Sequence, residues 1–343
     1  MTIPRYPPSF RQDEISLICR SALTGESLCF VGLAGSGKSN IINFLSVDPY
    51  DYKPQYLDPT TEPVIFAKIN AETWDGSAQN LWEQLWVELA NLTADLVDAE
   101  AVPKIIALSE DVRAFNKLQQ QVDLVCGHYQ RPVMFILDDF DDALRAGPLS
   151  MLEQFNRLRS NHRGRLSYLI FTKKLPHVLG RAHNLETHSK FYDLFKNHVY
   201  ALKLYNAEEA RQMLLHLNAL NDNALDRGAL LTIETLCGGH ARLLRLLYDA
   251  WLRGELPTPD ARDGDYARHP DMHKECARIL HGLHRHEQQV AIALAQGRQS
   301  QADSGVIAQL ALRGLLTNTS PPQWFSPLMA AFLTDSASGD TTE

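Results

Sequence analysis

The stretch Gly32-Leu33-Ala34-Gly35-Ser36-Gly37-Lys38-Ser39 follows the pattern G-x-x-x-x-G-K-[ST], and its flanks restrict the fold more than the match does. Leu28-Cys29-Phe30-Val31 before it reads as a buried strand, and Ile41-Ile42-Asn43-Phe44-Leu45 after it reads as a helix. A strand that feeds a glycine-rich loop into a helix start aims free backbone N–H groups at an anion. Gly32, Gly35 and Gly37 permit the backbone angles this needs, Lys38 has the reach for β- and γ-phosphates, and the Ser39 hydroxyl suits Mg²⁺. With Ser36 and Asn40, these residues are the candidate cradle of a nucleoside triphosphate.

The rest of the chain agrees with a loop of that kind. After Pro4, Pro7 and Pro8, residues 10–25 read as a helix, and apolar runs at 28–31, 64–68, 133–137, 167–171 and 199–204 read as five buried strands. Helical patterns separate most of them, which predicts an α/β fold over residues 1–205: a P-loop NTPase parallel sheet of about five strands flanked by helices. Val47 to Pro63, rich in Pro, Tyr and Asp, reads as a surface insertion. Residues 206–254 carry helical spacing without a strand signal and read as a helical lid. Residues 255–274, with prolines and many charges, read as a linker. Residues 275–334 offer three short helices, Gly314-Leu315-Leu316, a turn near Ser320-Pro321-Pro322, and Trp324-Phe325, the order of a winged helix. Residues 335–343 read as a disordered tail.

Composition removes several classes of function. A formal charge of −8 on 343 residues argues against a protein that coats nucleic acid indiscriminately, though a local basic patch remains compatible. Five widely spaced cysteines in apolar surroundings fit reduced core thiols and a cytoplasmic setting. No apolar run approaches the length of a membrane span, so no membrane partner is expected.

A second signal supports the first. Val133-Met134-Phe135-Ile136-Leu137-Asp138-Asp139 ends a buried strand in two acids, which is costly unless a cation or hydrogen bonds satisfy them. Asp138 is the candidate Mg²⁺ ligand beside Ser39, and Asp139 the candidate for orienting or polarising water, with Asp141 behind it. Lys38, Asp138 and Asp139 thus form the candidate catalytic set.

The next strand, Ser167 to Phe171, ends in Thr172-Lys173-Lys174. Thr172 and Lys173 are candidates for sensing a γ-phosphate, unless the lysines only keep the strand exit in water. Gly238-Gly239-His240-Ala241-Arg242 opens the last lid helix, where His240 or Arg242 is placed to touch phosphate, or His240 to cap the helix. Between Arg157 and Arg181 lie seven cationic residues and no acid. That run reads as an arginine supplied across a subunit interface, a nucleic-acid contact, or a solvated basic face. His281, His284 and His286 lack metal-like spacing, and the Trp74, Trp82 and Trp86 group reads as core.

These residues together resemble signal-transduction ATPases with numerous domains (STAND), a branch of P-loop ATPases allied to AAA+ origin-recognition ATPases. The likeness rests on Phe10-Arg11-Gln12-Asp13-Glu14-Ile15, the phosphate loop, Asp138-Asp139, Phe171-Thr172-Lys173, Leu202 to Ala210, and Gly238-Gly239-His240. Leu312 to Leu316 and Phe325 to Leu328 are similar to the winged helices of bacterial members. The resemblance implies ATP/ADP and Mg²⁺ as ligands, Arg11 near the nucleotide, ATP-promoted self-assembly, and activation of a protein effector or sensor in trans. The family often has arginine where Lys173 or Lys174 stands and proline where Ala241 stands, which implies slow hydrolysis. The alternative is a DNA-loading ATPase of the origin-recognition or transposition-regulator kind. Its weakness is the segment Ser304 to Leu315, whose sole cation is Arg313. A third reading is a nucleotide-stabilised scaffold that never turns over.

Overall fold

The computed structural model describes residues 3–46, 56, 63–70, 74–96, 110–256, 262–298, 303–317 and 322–339. They form two compact units, one of residues 12–31 and 38–200, the other of residues 1–11, 32–37 and 201–343. The insertion expected between Val47 and Pro63 lies, but for single positions, outside the described residues, as do Ser320 and Pro321.

The first unit carries the sheet. Its order is α1 (Gln12–Thr24), β1 (Leu28–Val31), α2 (Lys38–Ser46), β2 (Ile65–Asn70), α3 (Ala78–Leu92), α4 (Glu110–Val122), β3 (Val133–Asp138), α5 (Asp141–Ala146) and α6 (Leu149–Asn161). It continues through β4 (Leu166–Thr172), the short α7 (Pro176–Leu179), α8 (Leu185–His188) and α9 (Lys190–Asp193), and β5 (Val199–Ala201).

The five strands stand in the order β2-β3-β4-β1-β5, and the pairs β2/β3, β3/β4 and β4/β1 are parallel. Every residue of β1 and β4 is buried, as the continuous apolar runs require when helices cover both faces of a sheet. Trp82 of α3 anchors one face, its ring 5.2 Å from Phe115 and 4.6 Å from Phe155. Burying such aromatic surface contributes about 2–3 kcal/mol per ring. Because β4 lies between β1 and β3, the chain leaves those three strands side by side, at Val31, Thr172 and Asp138.

The second unit is helical: α10 (Ala207–Leu220), α11 (Arg227–Cys237), α12 (Ala241–Leu252), α13 (Asp263–Ala267), α14 (Pro270–Gly282), α15 (Arg285–Ala295), α16 (Ser304–Leu312) and α17 (Pro327–Gly339). Local sequence sets the starts and stops. Asn206 and Glu209 form a capping box on α10, Asp226 caps α11, and Gly238 ends it in the left-handed region at φ 56°.

Three boundaries differ from the sequence reading. The expected linker holds α13 and the start of α14, because Tyr266, Ala267 and Met272 are buried and Tyr266 stacks on Trp251 with ring centroids 6.4 Å apart. The expected lid and C-terminal region fall in one compact unit. Ser326 Oγ donates to the Leu236 carbonyl at 2.7 Å, tying the start of α17 to the end of α11. Helix α17 also reaches Gly339, into the segment read as a tail. The segment read as a winged helix comprises helices, one antiparallel bridge between Leu316 and Trp324, and α17. Among the described residues no helix is long and apolar enough to cross a membrane.

Candidate functional site

In the sheet unit, chemistry concentrates at the strand exits. Lys38, the first residue of α2, is only 7% exposed, and its Nζ lies 3.7 Å from Asp139 Oδ1. Burial pulls its pKa down, and the carboxylates of Asp139 and Asp138 pull it back up. Lys173 Nζ reaches the same Asp139 oxygen at 3.1 Å. Asp139 has φ 50°, a left-handed conformation that Asp tolerates better than most residues.

Asp138 closes β3, and its Oδ1 accepts the Asp139 N–H at 3.0 Å. Burial first, and the neighbouring Asp139 charge second, push its pKa up to about 6. Asp141 accepts the Lys173 N–H with both oxygens, at 3.0 and 3.1 Å, and so clamps the exit of β4 to the start of α5. Its pKa is also raised, mainly by burial. Ser39 is exposed and Asn40 partly so. Thr172 is different: it is fully buried, with its hydroxyl 3.6 Å from Cys29 Sγ. Strand alternation sends its side chain to the helix-covered face that Cys29 shares, whereas Lys173, the next residue, reaches Asp139.

In the helical unit, the loop from Gly32 to Gly37 is held by groups from distant sequence. Arg11, 3% exposed, donates from Nη2 to the Ser36 carbonyl at 2.9 Å and from Nη1 to the Lys203 carbonyl at 2.7 Å. Its guanidinium lies 4.8 Å from the centre of the Tyr205 ring. A Cβ placed on Gly37 would come within 2.9 Å of that same ring, which explains the glycine. Glu209, 4% exposed, accepts the Arg11 N–H at 2.6 Å and the Asn206 N–H at 2.9 Å.

His240 caps α12 and braces the loop together. Its Nδ1 accepts the Leu243 N–H at 3.2 Å, so Nε2 carries the proton donated to the Ala34 carbonyl at 3.0 Å. It is wholly buried, and burial drives its pKa down to about 4. A base depressed from 6.5 contributes stability that is present above pH 6.5 and lost as pH falls through about 4, on the order of 3 kcal/mol at full extent. His240→Gln is therefore expected to flatten the pH dependence of unfolding between those values, read by urea titrations at half-unit steps. An unchanged slope would count against this assignment.

Arg242, two residues on, gives its N–H to the Gly35 carbonyl at 3.2 Å, and its side chain, 54% exposed, pairs with Glu275 at 3.3 Å. Both lid candidates thus contact loop backbone, His240 through its ring and Arg242 through its N–H, and only Arg242 carries an exposed charge, shared with Glu275. Ser36 Oγ is buried and has no hydrogen-bond partner among the described residues.

The other sequence signals resolve individually. In the basic run, Arg159 donates to the Gly25 carbonyl at 2.8 Å and Arg165 to Gln130 at 2.7 Å, leaving Arg157, Arg163 and Arg181 exposed. His284 caps α15, and His286 faces Asp303 at 3.5 Å. Arg313 is bonded to Glu287. None of the five cysteines is in a disulfide, and all five are buried. Tyr205, Glu209 and Glu275 escaped the sequence reading; only the Asn206 to Glu209 capping box was a visible signal at the middle one.

Among the described residues no group of three or more His, Cys, Asp or Glu is arranged to hold a metal. A Mg²⁺ held by one carboxylate, a hydroxyl and phosphate oxygens needs no such group, and a half-buried Asp138 at the tip of β3, its carboxylate disfavoured without a counter-charge, is chemically suited to a divalent cation.

No protein-family model and no curated protein matches this sequence. Solved structures match in fold. The ORC2 protein of Aeropyrum pernix in its ADP form is 13% identical with a TM-score of 0.55, covering 99% of this chain and 96% of that one. The Walker-type ATPase PABY2304 of Pyrococcus abyssi is 13% identical at 0.53, covering 97% and 99%. The ORC1 protein of A. pernix in complex with DNA is 16% identical at 0.50, covering 99% and 96%. At such identities the likeness concerns the fold: a five-stranded parallel sheet flanked by helices, as in P-loop ATPases of the ORC type.

Proposed function

We propose that the protein is an ATP-binding and slowly hydrolysing switch. The observation that carries this reading is the convergence of Lys38, Asp138, Asp139 and Lys173 at adjacent strand exits, following a phosphate-binding loop. The loop amides, with Gly32, Gly35, Ser36, Gly37 and Asn40, receive phosphate oxygens, and Lys38 meets the β- and γ-phosphates. Ser39 and Asp138 hold Mg²⁺, which neutralises phosphate charge when bound. Asp139 orients the attacking water. Its ion pairs with Lys38 and Lys173 must loosen before it can act, in keeping with slow turnover. Arg242, anchored on the Gly35 carbonyl of the loop, is the second cation offered to phosphate, and Arg11 holds the loop's shape.

Two outputs of the switch are distinguishable. Loading on DNA is supported by the fold shared with an ORC protein solved on DNA and by the exposed Arg157, Arg163 and Arg181. Control of self-assembly and of a protein effector, as in STAND ATPases, is supported by α16, which lacks any cation and is followed by an Arg313 already engaged by Glu287. Light scattering after size exclusion decides between them, with ADP, with ATP and Mg²⁺, and with ATP plus duplex DNA. An ATP-dependent oligomer without DNA, lost in Lys38→Ala, supports the effector output, and assembly only on DNA supports loading. No change in size under any condition would remove the switch itself.

A further inference from the structure

Glu275 of α14 is 3% exposed, a costly place for a carboxylate. Two arginines share it unequally. Arg278, one turn along the same helix, grips it with two bonds, Nη2 to Oε1 at 2.6 Å and Nε to Oε2 at 2.9 Å. Arg242 of α12 touches it through one contact of 3.3 Å, and that side chain remains 54% exposed. Glu275 also stands at the phosphate loop: a Cβ on Gly35 would lie 2.9 Å from its Oε1 and 2.9 Å from Arg242 Cβ.

The two arms therefore differ in kind. The Arg278 fork is short, bidentate and held within one helix, so it remains in place. The Arg242 arm is single, longer and half in water, and its backbone N–H is already anchored on the Gly35 carbonyl at 3.2 Å. From that anchor the guanidinium has two anions within its swing, the Glu275 carboxylate and any phosphate seated on the loop.

We infer that Glu275 is an internal anion that competes with nucleotide phosphates for Arg242, setting nucleotide affinity and passing the outcome to α14. The inference rests on the nucleotide reading above. When phosphates take Arg242, Glu275 keeps only Arg278, and α14 loses its ionic link to α12. Glu275 is thus a positioning residue that acts through Arg242. The buried carboxylate is tolerable in both states because the Arg278 fork never leaves it.

The test is titration of ATP and of ADP, with Mg²⁺, by calorimetry on the full chain at one salt concentration. Glu275→Gln frees Arg242 and is expected to tighten ATP binding about two- to fivefold, the scale of a partly exposed ion pair. Arg278→Met leaves Glu275 to draw harder on Arg242 and is expected to weaken binding by a similar factor. In an Arg242→Met background, Glu275→Gln is expected to change nothing. Unchanged or weaker binding in a folded Glu275→Gln protein overturns the inference, as does a gain that persists without Arg242. Should Glu275→Gln not fold, Arg278→Met decides: equal or tighter binding overturns the inference. Loss of a merely structural contact cannot produce opposite signs in these two variants. If the native protein binds neither nucleotide, the nucleotide reading itself falls; if it binds and Glu275→Gln is indistinguishable, only the inference does.

Discussion

Asp138→Asn is expected to melt above the native protein at pH 8 in the absence of nucleotide, while losing at least a hundredfold in Mg²⁺-dependent ATP hydrolysis. The first effect follows from the environment of the carboxylate. Burial at the end of β3 and the adjoining Asp139 raise its pKa from 3.8 to about 6, so ionisation at neutral pH is resisted by the folded state. An acid shifted upward contributes stability that is fully present below pH 3.8 and lost as pH rises through about 6. An asparagine carries no such loss. The stability gain should therefore be absent below pH 4, grow between pH 4 and 6, and level off above. Its ceiling is about 3 kcal/mol, from roughly two pKa units, reduced because Lys38 loses a nearby counter-charge. Melting curves of the apo protein from pH 4 to 8 read it, at roughly 2–4 °C per kcal/mol for a chain of this size. The second effect follows from the proposed role of Asp138 as the protein's carboxylate on Mg²⁺. A variant less stable at pH 8 would overturn the account of a resisted carboxylate, and one with native turnover would remove Asp138 from the Mg²⁺ role.

Arg11→Ala is expected to destabilise the helical unit by about 3–5 kcal/mol and to weaken nucleotide binding more than tenfold. Arg11 is buried, and its guanidinium serves the Ser36 and Lys203 carbonyls and packs on Tyr205. Truncation leaves the buried Ser36 carbonyl without its donor at a cost of about 1–3 kcal/mol, removes the donor from the half-buried Lys203 carbonyl at a smaller cost, and forfeits the cation–π contact. It also releases Ser36 from the hydrogen bond that sets its place in the loop. Arg11→Lys keeps the charge but lacks the planar fork, and should recover less than half of the lost stability. Denaturant titration and nucleotide titration on the same samples separate the two losses. Full stability in Arg11→Ala would mean that the loop is held by its other contacts alone.

The candidate site was legible where one short segment carries the whole signal. The phosphate loop is such a segment, because strand, glycines, Lys38 and helix start are contiguous. Asp138 and Asp139 were legible because two acids at the tip of an otherwise apolar run carry a desolvation cost that a cation or hydrogen bonds must offset. Lys173 was half legible: its place at a strand exit could be read, its pairing with Asp139 could not. Thr172 shows why. As the last residue of β4 it meets Cys29 on a buried face of the sheet, and a single step along the chain separates a core residue from an exit residue. His240 was read as either ligand or cap. Its two hydrogen bonds make it a cap and a brace for Ala34.

Fold class, phosphate loop, acidic strand tip and helix caps were determined by the sequence itself, since each depends on residues a few positions apart and on periodicities of 2 and 3.6. The tertiary structure alone decided what supports the loop. Glu209 and Lys203 meet Arg11 across 198 and 192 residues of chain, and His240 meets Ala34 across 206. No local pattern encodes such pairings, because a buried charge is acceptable only where folding delivers its partners, and their positions exist only once the helices have packed.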